Sequence, residues 1–452
     1  MRVLLISTYE LGHQPLNVAR PAGALRDRGH DVRCLDLSIE PWDAELVTWA
    51  DRVAFSVPMH TAMRVAREAI TLVRDARPDL SIACFGLYGP VMADVADRAL
   101  GGEADAALTG WIDGDDDDVV IHLGREAASG GARPARDLLP PIDQYARFAI
   151  HGEQRLAGYV EASHGCAHRC RHCPVPVVYD GRIRIVDLDA VIADTDQQVA
   201  AGARHLTFGD PDFLNGAHHS MRVVRALHER HPDLTFDCTV KVEHVLEHAD
   251  LWPEIAASGC MFVVSAFESV DDATLARLDK GHTTADAGAA VELLRTHGIE
   301  VRPSWMPFTP WTTLGQIQAL LDFVAEHDLV GNVDPVQYTI RLLLPEGSLL
   351  LGHPDLAPHL GEYDVKRSSY AWTSADPEMD ALQAQLASLV ESRLADGDDG
   401  VSIYEELRRA CGLERLGLSV DAVTVAPRLT EPWFCCAEPT SEQLGVLIQS
   451  AM

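Results

Sequence analysis

The sequence predicts an α/β protein in three parts: an N-terminal doubly wound parallel sheet, then a partial (β/α)6 barrel, then a mostly helical C-terminal extension. Three observations predict it. Five β-rich runs alternate with helical patterns between Arg2 and Gly110, six more do so from Tyr159 onward, and a cysteine-rich loop follows the first run of the second series. Strands that alternate with helices favour parallel sheets. A chain of 452 residues also exceeds what one hydrophobic core usually supports.

In chain order, RVLLIST, DVRCLDLS, RVAFSVP, LSIACFG and DAALTG read as the strands of the first sheet, separated by segments such as TAMRVAREAITLVRDARP. Ligands of such sheets bind beyond the carboxyl ends of the strands, which places Tyr9 and Glu10, Pro58 to Thr61, and Gly86 to Pro90 at an expected site. This domain is assigned to residues 1–125 and a linker to 126–155. AASGGARPAR at 127–136 has linker composition, and the acidic run DGDDDD at 113–118 reads as solvated surface. The barrel is assigned to 156–350, with strands YVEAS, HLTFGD, LTFDCTVK, MFVVSAFE, IEVRPSW and VQYTIRLLL and helices such as LDAVIADTDQQVAAGA and GQIQALLDFVAEH. Residues 351–452, including MDALQAQLASLVESRLADG, form the helical extension and end in a tail that carries Cys435 and Cys436.

Sixty-eight acidic residues against 37 Lys and Arg give a formal charge of −31, which repels phosphate backbones and argues against nucleic acid and anionic membrane as partners. No 18 apolar residues run together, and MRVLLISTYELG is too short a run for a signal peptide, so a cytoplasmic protein is expected. Thiols stay reduced there, which makes the ten cysteines ligands, core residues or reactive groups. Cys34, Cys84, Cys238, Cys260 and Cys411 stand singly in apolar patterns and read as small buried side chains.

The remaining cysteines are different. In EASHGCAHRCRHCP, Cys166, Cys170 and Cys173 form C-x3-C-x2-C directly after an apolar run. Three thiolates can hold three corners of a cubic 4Fe-4S cluster and leave one iron open. The competing reading is a structural zinc site in a scaffold protein, with His164, His168 or His172 as fourth ligand. The spacing resembles the signature of the radical SAM superfamily, in which the amino and carboxylate groups of S-adenosylmethionine chelate the open iron.

From Arg2 to Pro345 the order of a cobalamin-binding-like sheet, a linker ending in LLPPIDQY and a cysteine loop in a partial barrel resembles the cobalamin-binding class of that superfamily. The resemblance implies roles at the strand ends. In FGDPDF, Gly209 allows close approach, and Asp210 and Asp212 accept from the SAM ammonium. In TVKVE, Lys241 meets the SAM carboxylate and Glu243 the ribose hydroxyls; in SAFESVDDATLARLDKGHT, Glu268 and Ser269 contact SAM; His172 flanks adenine. SWMPFTPWTT stands where the family has a Gly-x-Pro turn, with Trp305 and Trp311 in core or pocket. The D-x-H-x-x-G pattern that supplies a histidine to cobalt is absent, since Glu10 and His13 of YELGHQPLN do not match its spacing, and cobalamin stays open as a further cofactor.

The segment EPWFCCAEPTSEQ resembles the signature of the CUAEP/CCAEP-tail radical SAM proteins. Neighbouring cysteines rarely close a relaxed disulfide, because their Cα atoms lie only about 3.8 Å apart, and paired soft sulfurs suit a thiophilic atom. The resemblance implies that Cys435 and Cys436 act at the barrel mouth as ligand or redox residues. The expected protein is a radical SAM enzyme that cleaves SAM reductively to modify a small molecule, with a reductase, flavodoxin or ferredoxin as electron donor. Its finer form is carbon-arsenic or carbon-selenium bond formation by 3-amino-3-carboxypropyl transfer; a cobalamin-dependent methyltransferase and a zinc-binding scaffold are the alternatives.

Overall fold

A computed structural model describes residues 1–102, 104–114, 132–420, 423 and 425–431. Most of the acidic run, part of the 127–136 stretch, and Cys435 and Cys436 lie outside these residues. The first sheet consists of β1 (Arg2–Ser7), β2 (Asp31–Asp36), β3 (Arg52–Ser56), β4 (Ser81–Phe85) and β5 (Arg98–Leu100), all parallel and ordered β2-β1-β3-β4-β5. Alternate strand residues go to opposite faces, as the period-2 backbone requires. Leu4, Ile6, Phe55 and Ile82 pack with the helix His60–Ala76, whereas Val3, Leu5, Ala54 and Phe85 pack with the helices Leu16–Asp27 and Asp105–Asp113. Both faces are therefore covered, which is why β1, β3 and β4 are nearly continuous apolar runs.

The fifth strand is not the one expected. DAALTG opens the helix Asp105–Asp113, because Leu108, Trp111 and Ile112 fall on one buried face at helical spacing and Gly114, at φ 100°, ends the helix in the left-handed region. The short run Arg98–Leu100 takes the edge instead, paired with Ala83 to Phe85.

The second sheet is curled and holds seven strands ordered β13-β12-β11-β10-β7-β6-β16. They are β6 (Arg147–Ile150), β7 (Glu153–Val160), β10 (His205–Phe208), β11 (Thr235–Thr239), β12 (Cys260–Glu268), β13 (Glu300–Trp305) and β16 (Arg428–Leu429), with the pair β8 (Ser163–Gly165) and β9 (Ile183–Ile185) beside them. β7 and β10 to β13 are parallel, and β6 and β16 close one edge antiparallel. Capping boxes start two of the covering helices, Thr283 with Asp286 and Thr313 with Gln316.

VQYTIRLLL does not form the sixth barrel strand. Pro335 starts a 3-10 turn over Pro335–Thr339, the Gln337 side chain accepts the Trp305 N–H at 3.0 Å in place of a ladder partner, and only the single parallel bridge Phe308 to Arg341 remains of the sixth unit. The extension also departs from pure helix. A hairpin of β14 (Leu360–Asp364) and β15 (Ser369–Trp372) precedes the helices Pro377–Ala395 and Gly400–Ala410. Among the described residues no helix is long and apolar enough to cross a membrane.

Candidate active site

The carboxyl ends of both sheets face a common cavity of about 390 Å³. Its walls join the strand-end loops of the first sheet, at Glu10, Pro58 and Gly86 to Tyr88, to those of the second, at Cys166 to Cys173, Phe208 to Asp212, Lys241 and Glu268. A buried arginine fixes the two halves. Arg136 donates to both carboxylate oxygens of Asp194, at 3.1 and 2.8 Å, and to the carbonyls of Gln14 and Tyr159, at 2.8 and 2.7 Å.

The cysteine loop starts where β8 ends. Gly165 sits at φ 74°, and a Cβ there would lie 2.3 Å from the Arg182 carbonyl, so only glycine lets the chain turn into the loop. Cys166, Cys170 and Cys173 all line the cavity, and none of them is in a disulfide. Asn215 Nδ2 donates to Cys166 Sγ at 3.3 Å, and the loop is braced from behind, where Arg171 N–H meets the Leu278 carbonyl at 2.8 Å and the Arg171 guanidinium meets the carbonyls of Ala276 and Arg277. Three soft donors on one short loop, open to a cavity on one side, suit an iron-sulfur cluster better than a closed four-ligand zinc site.

Around this loop the structure gathers most of the anticipated positions and gives several of them different partners. Gly209 follows β10, and a Cβ on it would lie 1.9 Å from Tyr159 Oη, so the glycine answers packing against β7. Asp210 is occupied by protein: its oxygens accept from Ala162 N–H at 2.9 Å and Ser163 Oγ at 2.6 Å, which ties the cysteine loop to β10. Burial raises its carboxyl to about 7 against those hydrogen bonds. Asp212 caps its own turn through Leu214 N–H and lies 2.8 Å from His244 Nδ1.

Lys241 is buried and donates to Glu243 at 2.8 Å and to His168 Nδ1 at 3.0 Å, which fixes that nitrogen as an acceptor because an ammonium has no lone pair. Glu243 stands half-exposed outside the cavity lining, as does Ser269, whose hydroxyl accepts from Asp271 N–H at the start of a helix. Glu268 takes φ 63° at the end of β12, and its carboxylate is held by Lys280 Nζ and His172 Nε2, each at 3.2 Å. Burial opposes its ionisation, but the Lys280 ammonium and His172 outweigh that and hold it at about 2. The His172 ring is thus engaged with an acid.

Several cavity residues carry no motif. Lys280 stood in the quoted LDKGH, and Glu161 and His164 in EASHGCAHRCRHCP, and could have been found there; Arg20 could not. Arg20 pairs with Asp105 at 2.5 Å and lies 3.7 Å from Glu161, and His164 Nε2 lies 2.9 Å from the same glutamate. On the first sheet, Glu10 is buried among Asn17 and Ser56, and burial, reinforced by Glu161, raises its carboxyl to about 8. The His13 ring lies tilted against Tyr159 with centroids 4.7 Å apart, and burial, aided by Arg136, lowers its imidazole to about 3. Trp305 is core against Phe267 and Phe323, while Trp311 lies outside with Arg277 over its ring.

A three-cysteine loop at the first strand of a curled parallel sheet thus opens on one cavity that also holds acids and a buried lysine. Residues 160–324 match the family described as the radical SAM superfamily, which uses a 4Fe-4S cluster and SAM, and this match marks the chain as an enzyme. The zinc-scaffold alternative falls away with that match. The chain is similar to a putative methylthiotransferase of Methanocaldococcus jannaschii (22% identity over 75% of this chain and 79% of that one) and to the hopanoid C-3 methylase of Methylococcus capsulatus (24% over 68% and 64%). In fold it is similar to the cobalamin-dependent SAM radical enzyme OxsB with aqua-cobalamin bound (TM-score 0.67, 15% identity, 87% of this chain and 67% of that one). It is also similar to the radical SAM methyltransferase TsrM of Kitasatospora setae with cobalamin and a [4Fe-4S] cluster bound (TM-score 0.55, 20% identity, 72% and 70%).

Proposed function

We propose that Cys166, Cys170 and Cys173 hold the cluster, that Lys241 and Asp212 orient the methionine end of SAM beside it, and that the enzyme transfers a SAM-derived group to a small molecule lodged against the first sheet. The single observation that carries this is the common cavity, on which the three thiols and the strand ends of both sheets converge. The cluster, when bound, supplies the electron that breaks a carbon-sulfur bond of SAM. The chain's own part is to orient and enclose: Asp210 fixes the loop, Lys241 offers a buried cation to a carboxylate, and the first sheet roofs the cavity against water.

The finer reading is 3-amino-3-carboxypropyl transfer to arsenic or selenium, with Cys435 and Cys436 as the thiophilic ligands. It is supported by the point at which the chain reaches the cavity. Leu429 and Glu431 line it, Glu431 Oε1 accepts from Tyr9 Oη at 2.7 Å, and Thr430 is bonded to Arg147. Cys435 follows Glu431 by four residues in the sequence. The second reading, methyl transfer through cobalamin, is favoured by the sheet order β2-β1-β3-β4-β5, whose switch point between β1 and β3 opens on the same cavity.

The two are separated by incubating the reconstituted protein with dithionite, SAM and arsenite or selenite, with and without cobalamin. The finer reading expects methylthioadenosine and an aminocarboxypropylated product without cobalamin, lost in Cys435→Ser and Cys436→Ser. Methylated product that requires cobalamin overturns it in favour of the second.

A further inference from the structure

Lys280 lies in the turn Asp279 to Gly281, between the end of one helix and the start of the next, and its ammonium is buried on the cavity wall beside Cys170 and Cys173, whose thiols its charge reaches. The turn cannot drift. Its preceding residue, Leu278, accepts the Arg171 N–H in the middle of the cysteine loop, and Gly281 at φ 76° is packed so closely that a Cβ would meet Glu243 at 2.6 Å and Lys241 Nζ at 3.3 Å. The only carboxylate bonded to Lys280 among the described residues is Glu268, itself shared with His172 from the same loop. A buried ion pair of this kind is weak evidence for stability. Here its positive end shares the cavity wall with Cys170 and Cys173.

From this geometry we infer that Lys280 is a positioning residue that sets the reduction potential of the cluster, its charge favouring the reduced state and the Glu268 carboxylate opposing it. Reduction adds one negative charge to a site where the low dielectric leaves Coulomb terms poorly screened. A fixed cation therefore makes reduction easier and a fixed anion makes it harder. The inference rests on the radical SAM reading of the cysteine loop.

The test is an EPR-monitored redox titration, without SAM, of anaerobically reconstituted full-length protein and the variants Lys280→Met, Lys280→Arg and Glu268→Gln. At the wild-type midpoint, Lys280→Met should be about tenfold less reduced, about 59 mV for one electron; Lys280→Arg should stay near wild type, and Glu268→Gln should move the opposite way. A merely structural role would not reverse sign between the partners. Midpoints that do not move, or that move in the same direction for both charge-removing variants, overturn the inference. If Lys280→Met takes up no iron, the direction of Glu268→Gln decides. A wild-type protein that takes up no cluster defeats the radical SAM reading itself, a different failure.

Discussion

Glu10 carries the clearest titration at the scale of single residues. Its carboxyl is neutral in the folded protein up to about pH 8, whereas in the unfolded chain it ionises near 4.5. A raised acid of this kind weakens folding progressively as pH climbs from 4.5 to about 8, since only the unfolded state gains by losing the proton. Glu10→Gln should therefore raise the thermal midpoint over wild type more at pH 8.5 than at pH 5, by differential scanning calorimetry; an equal gain at both values would contradict the burial argument. At this scale the sequence was most legible where chemistry is local. The grouping of Cys166, Cys170 and Cys173 on one loop could be read from their spacing, but the Glu268-Lys280-His172 group depends on a left-handed backbone at Glu268 and on partners 12 and 96 residues away.

Among the elements, the joint between first sheet and barrel is the most heavily built. Arg136 joins the loop after β1, the end of β7 and the helix Leu188–Ala200 through buried hydrogen bonds. Arg136→Ala would strand the Asp194 carboxylate in the interior and should cost about 3–5 kcal/mol in chemical denaturation. A loss below about 1 kcal/mol would mean that the joint is replaceable. The strands of both series were largely legible, because buried parallel strands are short apolar runs bounded by turns. DAALTG misled because a six-residue stretch with three apolar residues fits either period, and its burial against β-sheet neighbours, not its composition, makes it helix. VQYTIRLLL has strand composition throughout, yet Pro335 and the Gln337 side chain divert it, a tertiary effect that composition does not carry.

For the whole molecule, the organising feature is that two sheets turn their carboxyl ends toward one another, and β16 leads the chain back to the gap between them. The order of parts could be read from the sequence. The face-to-face placement could not, since it rests on Arg136, on Arg20 beside Glu161 and on the Tyr9-Glu431 contact, whose partners lie far apart in the sequence. The central claim, that the three cysteines hold a cluster for reductive cleavage of SAM in this gap, is tested most directly by quantifying SAM-derived products from the anaerobically reconstituted protein under dithionite. Wild type should yield 5'-deoxyadenosine or methylthioadenosine, and a protein with Cys166, Cys170 and Cys173 all replaced by alanine should yield neither. Intact SAM in the wild-type reaction, despite a full iron-sulfur complement, would contradict the account.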